Sequence, residues 1–163
     1  MNYTTLQVPN DTLYIAATNE GLCYVGNDVT ELEAFAIKRK ETLHENDEAM
    51  RLYVAQFQAY FANDLKTFDV PQDVIGTNLQ RQVWATLQQI PYGDVWAYQD
   101  VANAIGRPTA VRAVANAIGR NPLLIVIPCH RVIGKNGKLT GFRSGLAMKR
   151  TLLAIEGLTQ YTQ

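Results

Sequence analysis

Cysteine and histidine are scarce in this chain: 163 residues contain two of each, Cys23, Cys129, His44 and His130. So few ligands, so far apart, exclude a disulfide framework and resemble no zinc site, and the sequence predicts two free thiols, no metal and no cofactor. Long apolar runs are absent too. No stretch approaches the roughly 18 uninterrupted apolar residues of a membrane helix, and Met1 to Asn10 carries neither a basic patch nor an apolar signal core. The expectation is a cytoplasmic protein with no membrane partner. Repeats and low-complexity tracts are also missing, while a hydrophobic content of 47% is enough for a normal core in one medium domain or two small ones.

Net charge is zero, but the sum hides an asymmetry. Through Gly76 there are 12 acidic and 5 basic residues, and from Thr77 onward 3 acidic and 10 basic, so the two parts carry −7 and +7. Such an imbalance is expected when one face meets a polyanion, although solvated charge also segregates by chance.

The runs Thr12 to Thr18 and Leu22 to Val25, with Asn19-Glu20-Gly21 between them, read as a hairpin. Thr30 to Thr42 and Glu45 to Phe61 have helical composition, with Leu52, Ala55, Gln56 and Ala59 on one face of the second. Leu65 to Gly76 reads as a strand and a linker, which divides the chain into domains 1–75 and 76–163. Beyond Thr77 the pattern is helical. Leu79, Val83, Leu87 and Ile90 share a face that ends at Pro91-Tyr92-Gly93, and further helices are predicted over Ala97 to Ile105, Thr109 to Ile118 and Leu146 to Ile155. The middle pair, joined across Gly106-Arg107-Pro108, is either an ordinary helical hairpin or a helix-turn-helix. Its second helix offers Thr109, Ala113 and Asn116 to solvent with Arg112 on the flank, and small side chains there let a backbone approach a groove.

The chemistry is expected at Ile127-Pro128-Cys129-His130-Arg131, where the apolar run Leu123 to Ile127, read as a buried strand, stops at a proline and presents a thiol beside an imidazole. A thiolate is the form that attacks, and a neighbouring histidine helps to generate it. Without that context Cys129 would be one more buried structural cysteine. Glu156 is the only acid after Asp100. It either orients His130 as the third member of a nucleophile, base and acid chain or pairs with Lys149 or Arg150 at its helix end.

Together, Gly76-Thr77, Val83-Trp84, Ile90-Pro91-Tyr92-Gly93, Tyr98, Arg112-Ala113-Val114, Arg120-Asn121-Pro122, Ile127 to Val132 and Leu152 to Gly157 resemble the O6-alkylguanine-DNA alkyltransferase family. The likeness covers about half of the chain, and its Pro-Cys-His-Arg block is highly specific. It implies an α+β protein, a small ribonuclease H-like α/β domain followed by a helical, winged-helix-like domain with a helix-turn-helix. It also implies a monomer that binds double-stranded DNA through the minor groove, flips out the damaged base, and moves the alkyl group of O6-alkylguanine or O4-alkylthymine to Cys129 once.

By the same resemblance, His130 deprotonates Cys129 through a water while Glu156 holds the imidazole, and Tyr98 bonds the flipped base and crowds its phosphate. Arg112 fills the gap in the duplex, with Ala113 and Asn116 on the recognition face. Main-chain carbonyls of Cys129 and Val132 accept from the guanine amine, the Arg143 amide donates to O6, and Asn121 is the hinge between recognition helix and cysteine. The chain departs from the commonest pattern at Leu79, where phenylalanine is frequent, and at Phe142 and Arg143, a lid where tyrosine and serine occur. The zinc ligands of some members' N-terminal domains find no match. A non-catalytic lesion binder would lack the cysteine, a cysteine hydrolase would need an oxyanion hole, and a regulator would show base-reading side chains on its exposed helix.

Overall fold

In the computed structural model, which describes residues 1–161, the chain divides into two compact units, Met1 to Val74 and Ile75 onward. The last two positions of the predicted second domain lie outside the described residues.

The first unit is built on a four-stranded sheet. Strands β1 (Asn2–Val8), β2 (Asp11–Thr18), β3 (Gly21–Gly26) and β4 (His44–Glu45) lie in the order β3-β2-β1-β4, antiparallel except for β1 with β4. The predicted hairpin is β2–β3. Helices α1 (Val29–Lys38) and α2 (Asp47–Phe61) start at Asp28 and Asn46, whose side chains accept from the first-turn amides Thr30 N and Ala49 N. β1 was not legible because Tyr3-Thr4-Thr5 breaks the apolar alternation, and β4 has no local signal: both residues are exposed, and its pairing with Asn2 and Tyr3 is non-local.

Two expectations fail here. The buried face of α2 is Met50, Phe57 and Tyr60, whereas Leu52 is 71% exposed, since three large side chains turn the helix toward the core more strongly than one leucine. The segment 65–76 is not a strand. It makes a single bridge, Leu22 to Gln72, with Leu22 N donating to Pro71 O and Asp73 N to Leu22 O; Pro71 has no amide to extend the ladder.

The second unit opens at α3 (Asn78–Leu87). Thr77 and Gln80 form a reciprocal capping box, so two first-turn donors are satisfied by the residues that start the helix. Its buried face is Val83, Trp84, Thr86 and Leu87, and Trp84 Nε1 donates to Ala117 O, fastening α3 to α5 (Val111–Gly119). α4 (Tyr98–Ala104) precedes α5 across a turn in which Gly106 takes φ +73, a left-handed conformation open to glycine at little cost. Two short strands, β5 (Trp96–Ala97) and β6 (Val132–Ile133), pair in parallel, and α6 (Leu146–Ile155) ends the unit.

The run Leu123 to Ile127 is buried but is not a strand. Val126 N bonds Leu124 O and Ile127 N bonds Leu123 O, so the run folds on itself as a turn, with Ile125 at φ +75. Asn121 closes the turn from both ends: its Oδ1 accepts from Leu123 N and its Nδ2 donates to Ile127 O at 2.7 Å. An apolar run has no period that separates a buried strand from a buried turn.

Candidate active site

Cys129 begins a 3-10 turn, Cys129–Arg131, directly after that closed loop. Cys129 is only 7% exposed, and it is reached through a small cavity that Tyr98, Ala115, Ile118, Gly119, Asn121 and the segment 141–143 also line. Asn121 Nδ2, already bonded to Ile127 O, lies 3.1 Å from the sulphur. One amide therefore holds both the loop and the thiol, and it stands two residues beyond the end of α5.

Burial raises the Cys129 pKa, and the Asn121 hydrogen bond and the charges of Arg143 and Lys149 oppose the rise only in part. The resting residue is a neutral thiol. A base is needed to activate it, and His130 is fully buried behind the turn. Its Nε2 lies 2.6 Å from Glu156 Oε2, while its Nδ1 has no hydrogen-bond partner among the described residues. Burial pushes the His130 pKa down; Glu156 pulls it up, and the charges of Arg131 and Lys149 push it down again. A neutral ring whose Nε2 proton is taken by a carboxylate has its lone pair on Nδ1, the arrangement of a general base.

Glu156 sits at the C-terminal cap of α6, where the helix dipole disfavours an anion. Donors compensate. Arg131 approaches with Nε at 2.8 Å from Oε1 and Nη2 at 3.1 Å from Oε2, and Gly93 N donates to Oε1 at 3.2 Å. Burial would raise the carboxyl pKa, but these hydrogen bonds and charges from His130 and Arg131 hold it far below the usual carboxylate range. The partner expected as an alternative, Lys149 or Arg150, is not the one used: Arg131 is, with Nη1 anchored on Ile90 O and its guanidinium over the Tyr92 ring. The turn Pro91-Tyr92-Gly93 docks on this helix end, as Tyr92 also donates to Ile155 O.

The cavity brings together Tyr98, Asn121, Cys129, Phe142 and Arg143. His130 and Glu156 lie behind the thiol. Val132 does not line the cavity; its carbonyl accepts from Lys149 Nζ at 2.7 Å. Arg112, Ala113 and Asn116 lie on a separate groove between the start of α3 and α5, with Thr77, Gln80 and Thr109, and all three are exposed.

Sequence reasoning missed Lys149. It is buried on α6, its Nζ also reaches Thr140 O at 3.4 Å and lies over the Phe142 ring, and burial lowers its pKa to about 8. The signal was available: Lys149 falls at i−3 and i−4 from Leu152 and Leu153, inside the apolar face of α6. Among the described residues no group of three or more His, Cys, Asp or Glu side chains is placed to hold a metal. No helix among them is long and apolar enough to cross a membrane.

A helix-turn-helix with a bare outer face, set beside a buried thiol backed by a histidine and a carboxylate, defines a helix-turn-helix protein that carries a cysteine nucleophile. The chain belongs to the 6-O-methylguanine DNA methyltransferase family: the family's ribonuclease-like domain matches residues 1–74 and its DNA binding domain residues 78–158. It is 45% identical over 159 residues to the inducible methylated-DNA–protein-cysteine methyltransferase of Bacillus subtilis, covering 94% of this chain and 89% of that one. With the methylated-DNA–protein-cysteine methyltransferase of Methanosarcina acetivorans it shares 44% identity over 157 residues, 96% of this chain and 99% of the other. The crystal structure of Mycobacterium tuberculosis OGT in complex with DNA matches with a TM-score of 0.82 and 37% identity, over 99% of this chain and 95% of that one. The expected α+β class, a ribonuclease-like domain followed by a helical DNA-binding domain, is borne out.

Proposed function

We propose that this protein is a single-turnover DNA-repair alkyltransferase that moves the alkyl group of O6-alkylguanine, and of O4-alkylthymine, in double-stranded DNA onto Cys129. The observation that carries this reading is the buried His130–Glu156 pair that directly follows Cys129, whose thiol lines a cavity beside a helix-turn-helix. His130 Nδ1 takes the thiol proton through a water. The sulphur then attacks the alkyl carbon in line with its bond to O6; the C–S bond forms, the C–O bond breaks, and the base leaves with the bonding pair. Main-chain groups of Cys129 and Arg143, which line the cavity, read the base edge, Asn121 keeps the sulphur in line, and Phe142 walls the cavity; the Val132 carbonyl is engaged by Lys149 instead. A thioether is a poor leaving group, so the protein acts once. This mechanism invokes no cofactor or metal, because the nucleophile, the base and the positioning groups are all supplied by this chain's own side-chain and main-chain atoms.

One chain supplies every group named, which suits a monomer. A nucleophile that must stay a free thiol suits the reducing cytoplasm. The outer face of α5 offers Ala113 and Asn116 rather than a row of base-reading side chains, which favours minor-groove docking and recognition of damage rather than sequence.

Mixing the protein with duplex DNA that holds one O6-methylguanine should raise the mass of the peptide containing Cys129 by about 14 Da, one methyl for one hydrogen, and no more than once per molecule. A peptide of unchanged mass beside repaired DNA overturns the reading.

Arg112 acts on extrusion of the base. Unstacking costs a few kcal/mol, and an exposed arginine on the flank of α5 offsets part of it by filling the gap. Arg112→Ala should slow transfer from duplex DNA markedly and leave transfer from free O6-benzylguanine close to normal; single-turnover rates on the two substrates separate the effects.

A further inference from the structure

The hydroxyls of Tyr98 and Thr140 lie 2.9 Å apart. Tyr98 is the first residue of α4 and lines the cavity; Thr140 directly precedes Gly141, Phe142 and Arg143, which line it from another part of the chain. Both ends of this contact are fixed. The start of α4 is fastened by Ala97 N donating to the Asp100 carboxylate at 2.8 Å. Thr140 is held through its carbonyl, which accepts from the buried ammonium of Lys149, and through its methyl: a Cβ added at Gly134 would meet Thr140 Cγ2 at 2.8 Å. Gly134 N in turn donates to Lys138 O at 2.7 Å, closing the turn against which the methyl packs. Thr140 is exposed, yet its hydroxyl has a defined place.

A phenol has one proton and a threonine hydroxyl has one. Whichever donates in this pair loses its proton for other use. We propose that Thr140 is a positioning residue for alkyl transfer: it donates to the Tyr98 oxygen, so that the single phenolic proton of Tyr98 turns into the cavity toward the base. The inference rests on the alkyltransferase reading, in which the base gains negative charge as its C–O6 bond breaks. A donor already aimed at that charge stabilises the transition state without reorganising, and a donor that itself accepts a hydrogen bond is the more polarised. The segment 141–143 walls the cavity, and Thr140, just before it, sets which way the Tyr98 proton points.

The test is a double-mutant cycle on single-turnover transfer from free O6-benzylguanine and from duplex O6-methylguanine. Thr140→Val keeps the branched shape and the methyl that packs on Gly134, and removes only the hydroxyl. It should slow transfer from both substrates by about three- to tenfold, the size of one neutral hydrogen bond, and Thr140→Ser should recover most of the rate. Tyr98→Phe should slow both substrates as well, and adding Thr140→Val to it should cost nothing further, because the hydroxyl then has no phenol to direct. A purely structural role predicts instead that the two losses multiply and that Thr140→Val lowers the melting temperature. Wild-type rates in Thr140→Val, or losses that multiply, overturn the proposal and leave the alkyltransferase reading intact. Failure of the wild-type protein to take an alkyl group from either substrate overturns both.

Discussion

Cys129→Ala should abolish alkyl transfer, lowering the single-turnover rate by at least about 10⁴-fold, while binding to lesion-containing duplex stays nearly unchanged. The sulphur is the only atom replaced that forms the new bond. The surroundings tolerate its loss, because Asn121 Nδ2 retains its 2.7 Å bond to Ile127 O and is not left unpaired when the sulphur goes. The closed loop 121–127 should therefore survive, and with it the wall of the cavity. Cys129→Ser should also be inactive: a hydroxyl titrates far above a thiol, and burial already raises even the thiol. Cys23→Ser is the control. That thiol is buried in the first unit against Met1, with its hydrogen bond to Ala16 O, and takes no part in the site. Transfer rates and fluorescence-anisotropy binding on the three variants decide the matter, and an active Cys129→Ala would remove the nucleophile from the mechanism.

Glu156→Gln should do the most damage to stability as well as to rate. Both carboxylate oxygens face donors: Gly93 N and Arg131 Nε at Oε1, His130 Nε2 and Arg131 Nη2 at Oε2. An amide puts an NH₂ where one set of donors points, so one side of the cluster loses its acceptor and a buried guanidinium loses its counter-charge. Breaking a buried pair in this way costs about 3–5 kcal/mol. The chemical effect follows from the tautomer. If the amide NH₂ faces His130, Nε2 becomes the acceptor, the ring proton moves to Nδ1, and the base loses the lone pair that receives the Cys129 proton. Transfer should fall by about 10²–10⁴-fold.

The pH dependence of the stability difference has a defined sign. The folded pKa of Glu156 is depressed, chiefly by His130 and Arg131 against the opposing effect of burial, so its contribution is fully present above the unfolded value of about 4.3 and is lost as pH falls toward the folded one. Urea unfolding of wild type and Glu156→Gln should therefore differ by a constant amount near neutrality and converge below about pH 4. A gap that persists unchanged into acid would show that the carboxylate is not held as an anion.

What local sequence determined is considerable. The apolar faces of α3 and α5 placed those helices to within a few residues, and Gly106-Arg107-Pro108 marked the turn between α4 and α5, because period and turn residues are properties of neighbouring positions. Pro128-Cys129-His130-Arg131 was legible as chemistry for the same reason. Its place as the only acid after Asp100, in a basic stretch, singled out Glu156, although not which partner it would take.

Only tertiary structure decided the rest. β4 exists because β1 offers an unpaired edge, 42 residues earlier in the chain, to His44 and Glu45. The buried run Leu123 to Ile127 became a turn because Asn121 bonds both of its ends, a contact that hydrophobic pattern cannot encode. Arg131, rather than Lys149 or Arg150, became the partner of Glu156 because the 3-10 turn aims its guanidinium at the end of α6, which leaves Lys149 to hold Val132 and Thr140 together. A lone ion or a lone carbonyl is costly to bury, so each buried polar group takes whichever complementary partner the packed chain brings within reach; that choice is made by distances in space, and the order of residues does not contain it.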